Sequence, residues 1–372
     1  MSFTCPNCRQ QLHLEESACP SCAHAVGFDW RIDAFRHLDP QSREWLDASG
    51  ARAALKPCAN QRYGACNWLA DCAEEGPAAR QTMCRACRHN RIIPDLAVPG
   101  VLQRWRRIEE AKHRMIRGVI KLGLPLETKA EGELGLAFDF LYDPAAENGY
   151  VPQLLTGHAD GVITLNVIEA DDVARERIRQ AMGEPYRTLL GHFRHEIGHY
   201  YWYRLVAGTD MQDHFRALFG DERTDYSEAV HRYYAGGPRP GWADGHISAY
   251  ATAHPWEDFA ETFAHYLHIV DTLGAMTDFA VALKAPVGTG GEIDAYSADT
   301  AALVGRWLPT SFALNAVNRA MGHPDLYPFQ LSPGAVLKLD FVNQVVSRAA
   351  ARQAGQEASD LAAVIAMFGH GV

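Results

Sequence analysis

Residues 186–206 read YRTLLGHFRHEIGHYYWYRLV, and the pentad His195-Glu196-Ile197-Gly198-His199 within it decides how the rest of the chain is read. Histidines four residues apart share one face of a helix, where both imidazoles can grip a single metal ion. Glu196 stands beside them, positioned to take a proton from a metal-activated water and to pass it to a leaving amine. Leu189, Leu190, Phe193, Tyr200, Trp202 and Leu205 flank the pentad, so the helix is expected to be buried. In a chain with 17 histidines a pentad is a modest signal, and two hydrogen-bonded core histidines would leave the same pattern.

The chain has 372 residues, 47% apolar and 22% charged, an ordinary globular balance with length for two or three domains. It contains no run of about 18 apolar residues, so no membrane-spanning helix is expected. The N-terminal MSFTCPNCRQQLHLEESACPSC lacks a basic region followed by an apolar stretch. No secretory signal is therefore expected, and the cytoplasm is the expected compartment. A net charge of −10 argues against nucleic-acid binding by the whole chain but not by a local patch.

All nine cysteines fall within the first 87 residues, which in a reducing compartment points to metal sites rather than disulfides. Cys5-Pro-Asn-Cys8 and Cys19-Pro-Ser-Cys22 are two knuckles ten residues apart, the spacing of a four-thiolate zinc ribbon. So small a module draws on the order of 10 kcal/mol of its folding free energy from the metal. Cys84-Arg-Ala-Cys87 is a third knuckle, whose partners must come from Cys58, Cys66 and Cys72. Iron suits four thiolates as well as zinc does. Residues 80–121 carry eleven Lys or Arg against three Asp or Glu. Such a segment can contact nucleic acid or an acidic partner, or pair with acids elsewhere in the chain.

Beyond the cysteines, IIPDLAVPG (92–100) reads as a linker and 101–123 as a helix with apolar residues at helical spacing. Residues 136–141 and 161–167 read as strands, the second opened by Asp160-Gly161. Helices are expected at 171–183, from Pro185 through the HEIGH segment, and near 211–219, 225–234, 247–273, 298–321 and 334–351. Residues 285–295 read as a glycine-rich loop with no phosphate-binding pattern.

A catalytic zinc needs a third protein ligand. The metzincin pattern would place Gly at 202 and His at 205, where Trp202 and Leu205 stand. Residues 254–271, HPWEDFAETFAHYLHIVD, instead offer Glu257 and Glu261 at i and i+4 on a helix too apolar to be a solvated stripe. HEIGH followed by EDFAETF resembles the gluzincins, among them the catalytic domain of anthrax lethal factor. That resemblance implies Glu257 as third ligand and Glu261 as hydrogen-bond partner of a ligand histidine. It also implies that Tyr250, seven residues before Glu257, stabilises the oxyanion. His254 is a possible sharer of that role and His265 a possible alternative ligand, while His192 and His268 read as supporting histidines.

Nearly the whole chain resembles a bacterial family of zinc-binding metallopeptidases with an N-terminal zinc-ribbon region. The resemblance rests on CNWL, CRACRHNRIIPDL, GHADGVITLN, MGEPYRTLLGHFRHEIGHYYW, SAYATAHPWEDFAETFAHYLHIVDTL and DLYPFQLSP. It implies Cys58 and Cys66 as partners of Cys84 and Cys87, leaving Cys72 free. It also suggests GVITLNV (161–167) as an edge strand that pairs with an extended substrate.

The expected fold is α+β: a mainly helical, zincin-like (gluzincin) catalytic domain with a small sheet, after two four-cysteine zinc-ribbon-like modules. The expected segments are 1–26, 27–99 and 100–372, holding one catalytic and two structural zinc ions. The expected activity is hydrolysis of peptide bonds in a cytoplasmic protein or peptide. A zinc amidase on a peptide tag or small amide, or a silent protein- or nucleic-acid-binding zinc protein, are the other readings.

Overall fold

A computed structural model describes residues 3–72, 82–144, 156–182, 186–281, 283 and 293–368. The fold is α+β. The chain forms two compact units, Met1–Arg117 with Thr128–Phe193 and Ala275–Val281, and Gly118–Glu127 with Arg194–Gly274 and Ala282–Val372.

In the first unit, β1 (Val26–Asp29), β2 (Ala34–Leu38), β3 (Trp45–Leu46) and β4 (Arg52–Ala53) form one antiparallel sheet. β5 (Leu55–Pro57) pairs with β6 (Leu69–Asp71), and Trp68 packs on Phe28 with ring centroids 4.8 Å apart. β7 (Asn90–Ile92) then runs parallel to β8 (Ala137–Leu141), joining the residues after the last knuckle to a second sheet. Helix α1 (Val101–Lys121) buries Trp105, Ile108, Met115 and Ile116, as its apolar spacing predicts.

The second sheet has the order β7-β8-β10-β9, with β9 at Gly157–Ala159 and β10 at Val162–Asn166. β10 pairs with β8 along its whole length and with β9 from Val162 to Thr164. The strand expected at an edge is therefore an inner one. The turn before it explains why: Asp160 and Gly161 have φ of 48° and 76°, the pair of positive φ angles that folds β9 back as a tight hairpin. Phe138 and Phe140 from β8 pack on Phe193, and α2 (Asp172–Met182) completes the unit. Within the basic segment Arg91 pairs with Asp139, Arg107 with Asp172, Arg114 with Glu15 and Arg117 with Asp33.

Helices dominate the second unit. α3 (Leu189–Leu205) contributes its residues from Arg194 onward, and Ile197, Tyr200, Tyr201 and Trp202 are all buried. α4 (Gln212–Phe219) and α5 (Tyr226–Gly236, capped by the Asp225 side chain) follow. α6 (Pro255–Asp278) starts later than expected. Pro255 is suited to a first helical position and disfavours helix in the residue before it, so 247–254 form bends around a single 3-10 turn, Tyr250–Thr252, instead. α7 (Thr300–Ala320) and α8 (Pro333–Phe368) close the unit, α8 running well past its expected end. Phe215, Phe219, Phe259 and Phe341 build one aromatic core. Residues 183–185 and 285–292, where a helix start and a glycine-rich loop are expected, lie outside the described residues.

Candidate metal centre

α3 and α6 approach closely at Gly198: a Cβ there would lie 2.9 Å from Ala260 Cα and 3.2 Å from Phe263 Cβ. That close approach brings three donors together. His195 Nε2 lies 3.1 Å from His199 Nε2 and 3.0 Å from Glu257 Oε2, and His199 Nε2 lies 3.5 Å from Glu257 Oε1. Tetrahedral zinc with bonds of about 2.0–2.1 Å would space its nitrogen and oxygen donors about 3.3–3.4 Å apart. The observed separations bracket that spacing, and the donor set of two imidazoles and a carboxylate suits zinc.

The surroundings fix how these donors point. His195 Nδ1 lies 2.7 Å from Glu261 Oε1, so it carries the ring hydrogen and leaves the Nε2 lone pair facing the centre. Ser248 Oγ donates to the other Glu261 oxygen at 2.6 Å and itself accepts the Ala251 N–H at 3.1 Å. Burial disfavours a charged His195, but Glu257 and Glu261 outweigh it and hold its pKa well above the ordinary value. Burial would likewise raise Glu257, yet His199 and His195 carry it well below the carboxylate range. Each shift records the same demand for positive charge at this point.

Glu196 is buried beside His195 on α3. Tyr250, in the turn before α6, has its ring 6.0 Å from that of His195 and 5.5 Å from that of Tyr233. Burial and then the Glu257 charge push its hydroxyl well above the ordinary pKa, so it stays an O–H donor. The other histidines nearby do different work. His254 accepts the Trp256 N–H on Nδ1 at 3.1 Å, while its Nε2 lies 3.1 Å from the Thr224 carbonyl. It caps the start of α6 rather than facing the centre. His265 lies outside the donor cluster, 2.7 Å from the Tyr327 hydroxyl, and burial lowers it to about 4. His268 lies against Arg194, and His192 is 3.5 Å from Glu169.

The cysteines gather into the two expected groups, Cys5, Cys8, Cys19 and Cys22, and Cys58, Cys66, Cys84 and Cys87. Sulfur separations of 3.7 Å for Cys5–Cys22, 3.6 Å for Cys8–Cys19 and 3.6 Å for Cys66–Cys84 match the spacing of about 3.8 Å around tetrahedral zinc. Burial pushes Cys5 up to about 12, whereas the His24 backbone N–H brings Cys22 down to about 5. Cys72 is exposed and belongs to neither group.

Residues 101–345 match the family model described as "Putative zinc-binding metallo-peptidase", and residues 2–98 match a zinc-ribbon domain. The chain belongs to this zinc-binding metallopeptidase family. Uncharacterized proteins of Mycobacterium bovis and Mycobacterium tuberculosis are each 42% identical over 350 residues, 94% of this chain and 96% of theirs. No solved structure matches the chain significantly. No described helix is long and apolar enough to cross a membrane.

One member of the centre escapes the sequence reading. Tyr226, at the first turn of α5, donates its hydroxyl to Glu257 Oε1 at 2.7 Å. Burial, with the Glu257 charge beside it, pushes its pKa up, so this donor too keeps its hydrogen. Nothing in the local sequence marks it, since its partner lies in a different helix 31 residues on.

Proposed function

We propose that the chain is a zinc-dependent peptidase of the HExxH, gluzincin type, with His195, His199 and Glu257 as the ligands of one catalytic zinc. The observation that carries this reading is the convergence of those three donors at 3.0–3.5 Å, with His195 oriented by Glu261. Zinc held by these three residues would lower the pKa of water towards about 7 and polarise a peptide carbonyl. Glu196 takes the proton from the attacking water and delivers it to the leaving nitrogen. Tyr250, protonated at neutral pH, donates its O–H to the oxygen on which negative charge develops. Tyr226 and Glu261 hold Glu257 and His195 in place. Structural ions at the two cysteine groups bring the total to three, and eight thiols kept at metal-ligand spacing suit a reducing, cytoplasmic compartment. The substrate is a protein or peptide of that compartment.

The test compares Glu196→Gln with wild type. The variant should keep three zinc ions per chain and lose about 10²–10⁴-fold in turnover, read as cleavage products across a proteome digest. Equal cleavage by the variant would remove the mechanism. Unchanged zinc content in His195→Ala would remove the site itself.

A further inference from the structure

The second cysteine group holds more donors than a tetrahedral ion requires. Cys58, Cys66, Cys84 and Cys87 are all buried, and so is His113 on α1. His113 Nε2 lies 3.3 Å from Cys66 Sγ, 3.6 Å from Cys87 Sγ and 3.9 Å from Cys84 Sγ. Zinc with bonds of about 2.3 Å to sulfur and about 2.0–2.1 Å to nitrogen sets such donors about 3.6 Å apart. The three distances bracket that value, and the Cys66–Cys84 separation of 3.6 Å fits the same polyhedron.

The ring orientation agrees. His113 Nδ1 lies 2.5 Å from the Glu109 carbonyl oxygen, which can only accept, so Nδ1 carries the hydrogen. In the neutral ring the Nε2 lone pair then faces the sulfurs, and a backbone carbonyl on the other nitrogen is the usual support of a metal-binding histidine. Lys112, next to His113 in the chain, is buried in an ion pair with Glu109 at 2.8 Å, and Glu109 Oε2 in turn lies 3.4 Å from Cys87 Sγ.

We propose that His113 is a direct ligand of the ion held here, in a set of Cys66, Cys84, Cys87 and His113, with Cys58 as an adjacent fifth donor. The cysteines fall in the zinc-ribbon match and His113 in the peptidase match, so the ion fastens the ribbon to the first helix of the peptidase segment. This inference is independent of the catalytic reading.

The full chain loaded with ¹¹³Cd tests it without mutation. Cys5, Cys8, Cys19 and Cys22 supply a four-thiolate standard within the same molecule. The second thiolate-rich resonance should lie upfield of that standard and correlate through the metal with the His113 ring protons. His113→Gln should lose the correlation and weaken metal retention at this site at least about tenfold, while Cys58→Ser keeps its metal. A resonance coupled to the β-protons of Cys58, Cys66, Cys84 and Cys87, with metal retention indifferent to His113→Gln, would overturn the proposal.

Discussion

Gly198→Ala offers a severe test of the metal centre, because local and tertiary effects oppose each other. Within α3 alone, replacing glycine by alanine favours the helix by about 1 kcal/mol. Here the added methyl would sit 2.9 Å from Ala260 Cα, 3.1 Å from its carbonyl oxygen and 3.2 Å from Phe263 Cβ. Two of the three atoms are α6 backbone, which has no rotamer to change. Restoring a carbon–carbon contact of about 3.5–4.0 Å requires α3 and α6 to separate by about 0.6–1.1 Å. Metal sites tolerate donor displacements of about 0.2 Å. His195 and His199 ride on α3 and Glu257 on α6, so the separation opens the donor set directly. Overpacking of this kind costs about 1–3 kcal/mol, which for a unit of this size lowers the Tm by several degrees. Thermal unfolding and chelator competition read the two effects. The variant should melt earlier and yield the ion proposed at this centre at least about tenfold more readily. A Gly198→Ala protein that melts at or above the wild-type temperature and holds that ion equally well would refute the argument.

Two further outcomes follow from single contacts. Tyr226→Phe removes the hydrogen bond to Glu257 and should weaken retention of the ion proposed there about 10–100-fold, with circular dichroism unchanged; wild-type retention would make the contact incidental. Burial alone would raise the Glu169 carboxyl, but His192 and then Arg187 at 3.1 Å take it down to about 2. Its folded pKa therefore lies below the unfolded value of about 4.3. The stability it contributes is present above that value and is lost as pH falls towards about 2. Urea midpoints should fall for Glu169→Gln at pH 7, and the gap from wild type should close over that acid window. A gap that stays constant with pH would mean that the carboxylate charge contributes nothing.

What the sequence makes legible follows the range of the interactions. His195 with His199 and Glu257 with Glu261 are each an i, i+4 pair, so helical geometry alone puts each pair on one face. The knuckles Cys5–Cys8, Cys19–Cys22 and Cys84–Cys87 are local for the same reason, and the apolar spacing of α1 marks its buried face. The features that escape are pairings between segments. Tyr226 reaches Glu257 only because α5 lies against α6, and β10 is an inner strand only because the Asp160-Gly161 turn folds β9 onto it. His113 is hidden more deeply, because the cysteines form a complete four-thiolate pattern without it. The helix beside it reads as amphipathic, so a buried histidine on its inner face passes for core. Gly198 joins the two scales: it stands inside the most legible motif of the chain, yet its role is set by Ala260, 62 residues away. The pentad thus specifies more than the two ligands and the base proposed for it, since its one residue without a side chain sets the distance at which the helix bearing Glu257 can approach.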